Sequence, residues 1–342
     1  MNPVRKTAKL AFNAFFASIT LARAKFSREP VLIILTYHRV LPRDHAARRT
    51  EQPGMVISPE SFQHHLKIVQ SMGGTFVSLN EWLQSDTAGS TLPRLAFAIT
   101  FDDGWQDNYQ YAYPILKQHQ VPATIFLVSR RINTDWQFWP EKLLNVLLNH
   151  TAKLSHPIFS WIKCFFPEEL RIDHESISLE QADLIIQRVK ELDDQTIEQN
   201  LGAAEKALPS ISNGAEMRPL LNAREIEEMA SSKLVDFGAH TQHHYRLNLL
   251  QNEEQLQQEI VGSLQDTAQL SPRSVPIFCY PNGGISPVGK NLVTQHYAAA
   301  CTTLKGWNKT PCRSMELGRF NFHDGNGSTT LSFLATLGRT DS

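Results

Sequence analysis

Two carboxylates stand side by side at the end of an apolar run, Phe97-Ala98-Ile99-Thr100-Phe101-Asp102-Asp103-Gly104, and histidines cluster far downstream in His240-Thr241-Gln242-His243-His244. Asp103, His240 and His244 can hold one divalent ion on three protein ligands, leaving positions for water and substrate. Borderline cations accept imidazole together with carboxylate. Two histidines four apart meet one ion if their segment is helical. Asp102 then stands beside the ion as a carboxylate with no fixed job, as a general base requires. This is the equipment of a metal-assisted hydrolase. Each cluster also has a plainer reading. Asp-Asp-Gly is an ordinary turn or helix cap, and histidines at a helix start are commonly solvated. Their joint placement after core-like strands favours the chemistry. His243 points elsewhere, as a surface or supporting residue.

Three more residues can complete that chemistry. His38 follows the run Val31-Leu32-Ile33-Ile34-Leu35-Thr36-Tyr37. A lone histidine there is commonly inert, yet with an unperturbed pKa of ~6.5 it can donate a proton near neutrality. Asn282, in the turn Tyr280-Pro281-Asn282-Gly283-Gly284, can aim an amide at an oxyanion or simply shape the turn. Arg319 can keep Asp102 ionised or form a structural ion pair. Cys164, Cys279, Cys301 and Cys312 are far apart and without CxxC spacing, so they read as buried apolar thiols.

The elements that must position these residues alternate. Strand-like runs occur at 31–37, 76–79, 95–101, 121–128, 234–239, 275–280, 297–302 and 317–320. Ser58-Pro59 opens a helix that Gly73-Gly74 ends. Further helices are expected over 107–119, 252–269, 286–295 and 328–337, and Asn222 with Glu225 forms a capping box. The order predicts an α/β fold, a distorted (β/α) barrel of about seven strands with its polar residues at the carboxyl ends of strands. An open doubly wound sheet is the alternative. Residues 29–342 read as that one domain. Within it, 135–215 reads as a mostly helical insertion that covers or flanks the site, with 178–207 a polar, solvated helix.

The 342 residues carry 33 Lys and Arg against 34 Asp and Glu, a formal net charge of -1. That balance gives no electrostatic reason to expect nucleic acid. Residues 1–28 depart from it. Arg5, Lys6 and Lys9 precede an apolar stretch that ends at Arg23 and Lys25. Such a basic amphipathic segment suits peripheral contact with an anionic membrane, packing on its own domain, or a signal peptide without a clear cleavage site. It is too short in apolar residues to span a bilayer.

The motifs together resemble the polysaccharide deacetylases of the NodB-homology type (carbohydrate esterase family 4). Thr100-Phe101-Asp102-Asp103-Gly104 matches that family's first motif, and His240-Thr241-Gln242-His243-His244 with Leu247 matches the second. The resemblance covers about 30–130 and 232–322. It implies a distorted (β/α) barrel, Asp102 as base, and Asp103, His240 and His244 as metal ligands. The third motif departs. Phe278-Cys279-Tyr280-Pro281-Asn282-Gly283 lacks the usual arginine and has Asn for Tyr, a form similar to the poly-N-acetylglucosamine deacetylase branch. In the family the oxyanion donor is the backbone N–H after the proline, here Asn282. The C-terminal Leu-x-His motif has no clear match, and His323 lacks its context. In that branch an N-terminal Tyr-His supplies the acid, which implies His38, and Arg319 takes the place of the arginine that orients the base.

The expected function is metal-dependent removal of an N-acetyl group from an amino sugar in a poly- or oligosaccharide or a lipid-linked glycan. Zinc is the first choice of ion, with nickel, cobalt or iron as alternatives. Two other readings are a hydrolase of another linear amide on the same fold, and a non-catalytic carbohydrate-binding protein. The expected location is the cytoplasm, with the N-terminal segment at the inner face of the membrane.

Overall fold

The computed structural model of the chain describes residues 3–167, 176–211, 219–312 and 314–341. Parts of the expected insertion (168–175 and 212–215) and of the N-terminal segment (1–2) lie outside them. The chain forms two compact units. The first comprises residues 1–42, 54–134 and 220–342, and the second 43–53 and 135–219.

The strands of the first unit are β1 (Val31–Tyr37), β2 (Arg39–Val40), β3 (Val56–Ile57), β4 (Thr75–Phe76), β5 (Leu95–Phe101), β6 (Ala123–Leu127), β7 (Val235–Ala239), β8 (Ser274–Cys279), β9 (Ala299–Cys301), β10 (Asn308–Lys309) and β11 (Arg319–Asn321). Seven form the path β10-β1-β5-β6-β7-β8-β9; β4 joins β5, and β11 joins β1. Every pairing is parallel except β1 with β10. All residues of β1 and β5 are buried, which explains why both read as unbroken apolar runs.

The sheet is a curled half-barrel, more open than the TIM-like barrel expected from the element order. Alternate residues face two cores. Ile33, Leu35, Phe97 and Ile99 pack with Phe62, Leu66, Leu116 and Phe333 of the covering helices. Leu32, Ile34, Ala96, Ala98, Ile277 and Cys279 form the other set with Phe126. At Gly238 in β7 a Cβ would lie 2.6 Å from the Phe126 ring and 2.8 Å from the Ile277 carbonyl, so only glycine lets these strands approach.

Two expected helices are interrupted. The 107–119 helix begins with a π segment, Asn108–Ala112, before the α-helix Tyr113–His119. The 252–269 helix is α over Glu253–Gln257, π over Gln258–Gly262 and α again over Ser263–Leu270. The final helix expected over 328–337 is Thr330–Gly338, preceded by a separate short helix, Asp324–Gly327.

The second unit has its own core, with Trp139, Leu143, Phe159, Ile185, Ile197 and Leu201 at its centre. The stretch read as one solvated helix is two helices, Leu179–Val189 and Asp194–Ala207, each with a buried apolar face. Their high polar content had hidden stripes at helical spacing.

Candidate active site

The site lies in the first unit, where the strands end. Asp102 follows β5, its N–H bonded to the Tyr37 carbonyl at 3.0 Å. Asp103 and Gly104 then adopt left-handed backbone, with φ of 75° and 77°. That turn sends the two neighbouring carboxylates to different partners. At Gly104 a Cβ would meet Leu127 at 3.0 Å and Ile132 at 3.2 Å, so the position has neither the conformation nor the room for a larger residue.

Asp102 faces Arg319. The guanidinium donates from both terminal nitrogens to both carboxylate oxygens, at 2.7 and 2.8 Å. Arg319 Nε donates to the Thr302 carbonyl at 3.0 Å, and Nη2 also reaches the Cys279 sulfur at 3.1 Å. Burial pushes the Asp102 carboxyl up, but the Arg319 charge and hydrogen bonds outweigh burial and hold it below the usual carboxylate range. His38 Nε2 lies 3.9 Å from Asp102 Oδ2. The His38 carbonyl accepts from Asn108 Nδ2 at 2.8 Å, which pins this loop to the first π segment. Beside it Asp107 receives Arg39 Nε at 2.9 Å and the Val40 N–H at 2.7 Å.

Asp103 turns the other way. Its Oδ2 accepts from Trp105 Nε1 at 2.9 Å. Its Oδ1 is buried with no hydrogen-bond partner among the described residues, although His240 Nε2 and His244 Nε2 each stand 3.4 Å away. Burial raises the Asp103 carboxyl, but the two histidines outweigh it and hold the group well below the carboxylate range.

The histidines converge differently from the sequence expectation. Their segment is an irregular loop after β7, with left-handed backbone at Thr241 (φ 62°) and His244 (φ 67°). The His244 N–H donates to Thr241 Oγ1 at 2.8 Å, closing the turn that a helix was expected to supply. His240 Nδ1 is 2.7 Å from the Cys279 carbonyl, which can only accept. That nitrogen therefore carries a proton, which leaves Nε2 as the ring atom facing Asp103 and the one an ion would take. Against burial, the neighbouring carboxylate holds the imidazole pKa well above its ordinary value.

Two residues of this region escaped the sequence reading. Glu259, in the second π segment, is buried. Its Oε2 accepts the Gln242 and His243 N–H groups at 3.0 and 2.9 Å, and its Oε1 lies 2.6 Å from His243 Nδ1. The signal was a charge at the core-facing register of an amphipathic helix, with Leu256 and Ile260. Of the four cysteines read as buried thiols, Cys279 and Cys301 are buried, Cys312 is half-buried and Cys164 is exposed; burial raises the Cys279 pKa. Yet its sulfur also lies 3.6 Å from Asp102 Oδ2. Its position at the end of a strand, just before the Tyr280-Pro281 turn, was the available clue.

Asn282 is exposed in the Pro281–Gly283 turn after β8, with φ of 52°. His323 caps the Asp324–Gly327 helix, its Nδ1 accepting the Gly325 N–H at 3.2 Å.

Among the described residues, two groups have ligand atoms close enough for one metal ion, Asp103/His240/His244 and Asp102/His240/Cys279. The first fits a divalent cation, with an oxygen lacking a hydrogen bond, a fixed imidazole tautomer and an N,N,O donor set. The second does not, because Arg319 already holds both Asp102 oxygens and burial keeps the thiol protonated.

A family model described as polysaccharide deacetylase matches residues 89–299. YxkH of Bacillus subtilis is 27% identical over 139 residues, 41% of this chain and 47% of that protein. The poly-beta-1,6-N-acetyl-D-glucosamine N-deacetylase of Staphylococcus aureus is 28% identical over 115 residues, 32% of this chain and 39% of that protein. The matches thus span less than half the length of these curated relatives. Among solved structures, IcaB from Ammonifex degensii aligns with a TM-score of 0.58 at 17% identity, covering 90% of this chain and 97% of that one. The Streptococcus pyogenes deacetylase PplD, solved with acetate, aligns with a TM-score of 0.57 at 15% identity, covering 90% and 99%. At such identities the structures speak for the fold, whereas the family model covers more than half of the sequence and includes Asp102, Asp103, His240 and His244. The chain belongs to the polysaccharide deacetylase family.

Proposed function

We propose that this chain hydrolyses the N-acetyl amide of an amino sugar in a poly- or oligosaccharide or a lipid-linked glycan, using one divalent ion held by Asp103, His240 and His244. The reading rests above all on adjacent carboxylates with separate settings: Asp102 paired with Arg319, and Asp103 facing two imidazoles. The S. aureus relative, named for poly-beta-1,6-N-acetyl-D-glucosamine, supports an N-acetylated glycan as substrate class.

When bound, a divalent ion polarises the amide carbonyl and lowers the pKa of water. Zinc is the first choice, with nickel, cobalt or iron compatible with the same donors. Asp102, kept as a carboxylate by Arg319, accepts the proton of the attacking water. The Asn282 N–H, in its left-handed turn, donates toward the developing oxyanion. His38 hands a proton to the departing amine, and its Nε2 is the nitrogen on the Asp102 side. The carbonyl carbon gains a bond to oxygen and loses its bond to nitrogen, giving acetate and a free amino sugar.

The test is acetate release from N-acetylglucosamine oligomers, the corresponding polymer and lipid-linked sugars. Metal-stripped protein is compared with protein loaded with zinc, cobalt or nickel. Metal-dependent release is expected. A protein that binds one ion tightly yet releases no acetate from any sugar would overturn the proposal.

A further inference from the structure

The helix Pro3–Phe26 has two apolar faces, and the domain covers one of them. The covered face packs along the helix Thr330–Gly338. Ala17, Thr20 and Ala24 are buried there, and Thr20 Oγ1 donates to the Leu334 carbonyl at 2.7 Å. The helices approach so closely that a Cβ on Gly338 would overlap the Phe16 carbonyl. Asn13 Oδ1 accepts from Arg339 Nη2 at 2.5 Å, and Arg94 Nη1 donates to the Ala24 carbonyl at 2.5 Å.

The opposite face has Phe12, Phe15, Ile19, Ala22 and Phe26 in one stripe at spacings of three and four residues. Phe15 is 61% exposed and Phe26 72%. Of the eight large apolar side chains exposed among the described residues, five lie in this one helix. A helix that is apolar on both sides requires a second covering.

Charge identifies that covering. Residues 1–28 hold Arg5, Lys6, Lys9, Arg23, Lys25 and Arg28 and no Asp or Glu, in a chain whose totals are 33 and 34. Arg23 and Lys25 suit the negative end of the helix dipole. Arg5, Lys6 and Lys9 lie near its positive end, where the dipole disfavours cations. A second copy would bring cations against cations, without the acidic partners that paired helices use. An anionic surface satisfies both ends. No helix among the described residues is long and apolar enough to cross a membrane.

We infer that the outer face of this helix lies in the headgroup region of an anionic lipid bilayer. Phe12, Phe15 and Phe26 enter the apolar boundary, and the flanking cations meet lipid phosphates. This holds the deacetylase domain at a membrane surface through contacts separate from its catalytic residues.

The experiment is co-sedimentation of the full chain with vesicles of phosphatidylcholine, alone or with about one-third phosphatidylglycerol, beside the double variant Phe15→Ser/Phe26→Ser. Both replaced side chains are exposed, so the fold and the domain's deacetylase activity on a short soluble oligosaccharide stay unchanged. The expected result is binding to the anionic vesicles that falls roughly a hundredfold in the variant. Half-molar salt should weaken it about tenfold. Equal binding by wild type and variant would overturn the inference. So would a concentration-dependent dimer that the variant abolishes while neither protein binds lipid, which would assign the face to a second copy of the chain.

Discussion

The two sides of the candidate site start from adjacent residues and reach opposite electrostatic solutions. On one side Asp102 is already neutralised by the protein, through two hydrogen bonds from Arg319 with the Cys279 thiol beside them. On the other, Asp103 Oδ1 is buried facing two imidazole nitrogens, and the strong donor to that carboxylate is Trp105, on Oδ2. A built-in cation fixes a charge permanently. A site made of N and O donors leaves the charge to be supplied from solution. On the proposed function, tuning a base without occupying it calls for the first, and binding an ion calls for the second.

Paired variants put this division of labour to the test. Asp102→Asn should lower turnover by roughly 10²–10⁴-fold while metal content is retained. His240→Ala should lose metal and turnover together. Elemental analysis beside acetate release separates the two, and equal metal loss in both variants would show one shared ligand set. Arg319→Gln comes next. Removing one partner of a buried pair should cost about 3–5 kcal/mol in chemical denaturation. The sign with pH follows from Asp102 having a depressed folded-state pKa. The pair's contribution is complete above the ordinary carboxylate value of about 4 and is lost as pH falls through the lower folded value. Arg319→Gln should therefore lose most stability relative to wild type near neutrality, with the gap narrowing in acid. Glu259→Gln is the mildest. It loosens the loop that carries His240 and His244, so metal affinity should fall about tenfold, with stability almost unchanged. Isothermal titration with zinc would measure this, and an unaltered affinity would remove Glu259 from the histidine side.

Much of this arrangement was legible in the residues. The runs at 31–37 and 95–101 are β1 and β5 almost residue for residue, because a strand buried on both faces cannot hide its composition. The candidate ligands were legible because carboxylates and histidines at strand ends are costly without a purpose. Backbone detail was less so. Left-handed turns at Asp103, Thr241 and His244 gather the candidate ligands, and although Asp and His tolerate positive φ, nothing in the sequence marks these positions for it, least of all the β-branched Thr241. The π segments were equally hidden, since one extra residue in a helical turn leaves composition untouched. Both hold the loops of the site, Asn108 for His38 and Glu259 for the histidine loop, as π segments commonly do at functional sites. The second unit's helices were misread because polar residues outnumber, without displacing, their apolar stripes.

Arg319 carries a consequence for how the molecule is made. It lies 217 residues beyond Asp102 and comes from β11, which pairs with β1. During synthesis, Asp102 and Asp103 leave the ribosome long before the residue that neutralises one of them. Until β11 docks, the end of β5 holds a carboxylate that resists burial, and this end of the half-barrel cannot close around it. A chain interrupted before that strand would therefore lack the guanidinium that neutralises Asp102 at the end of β5.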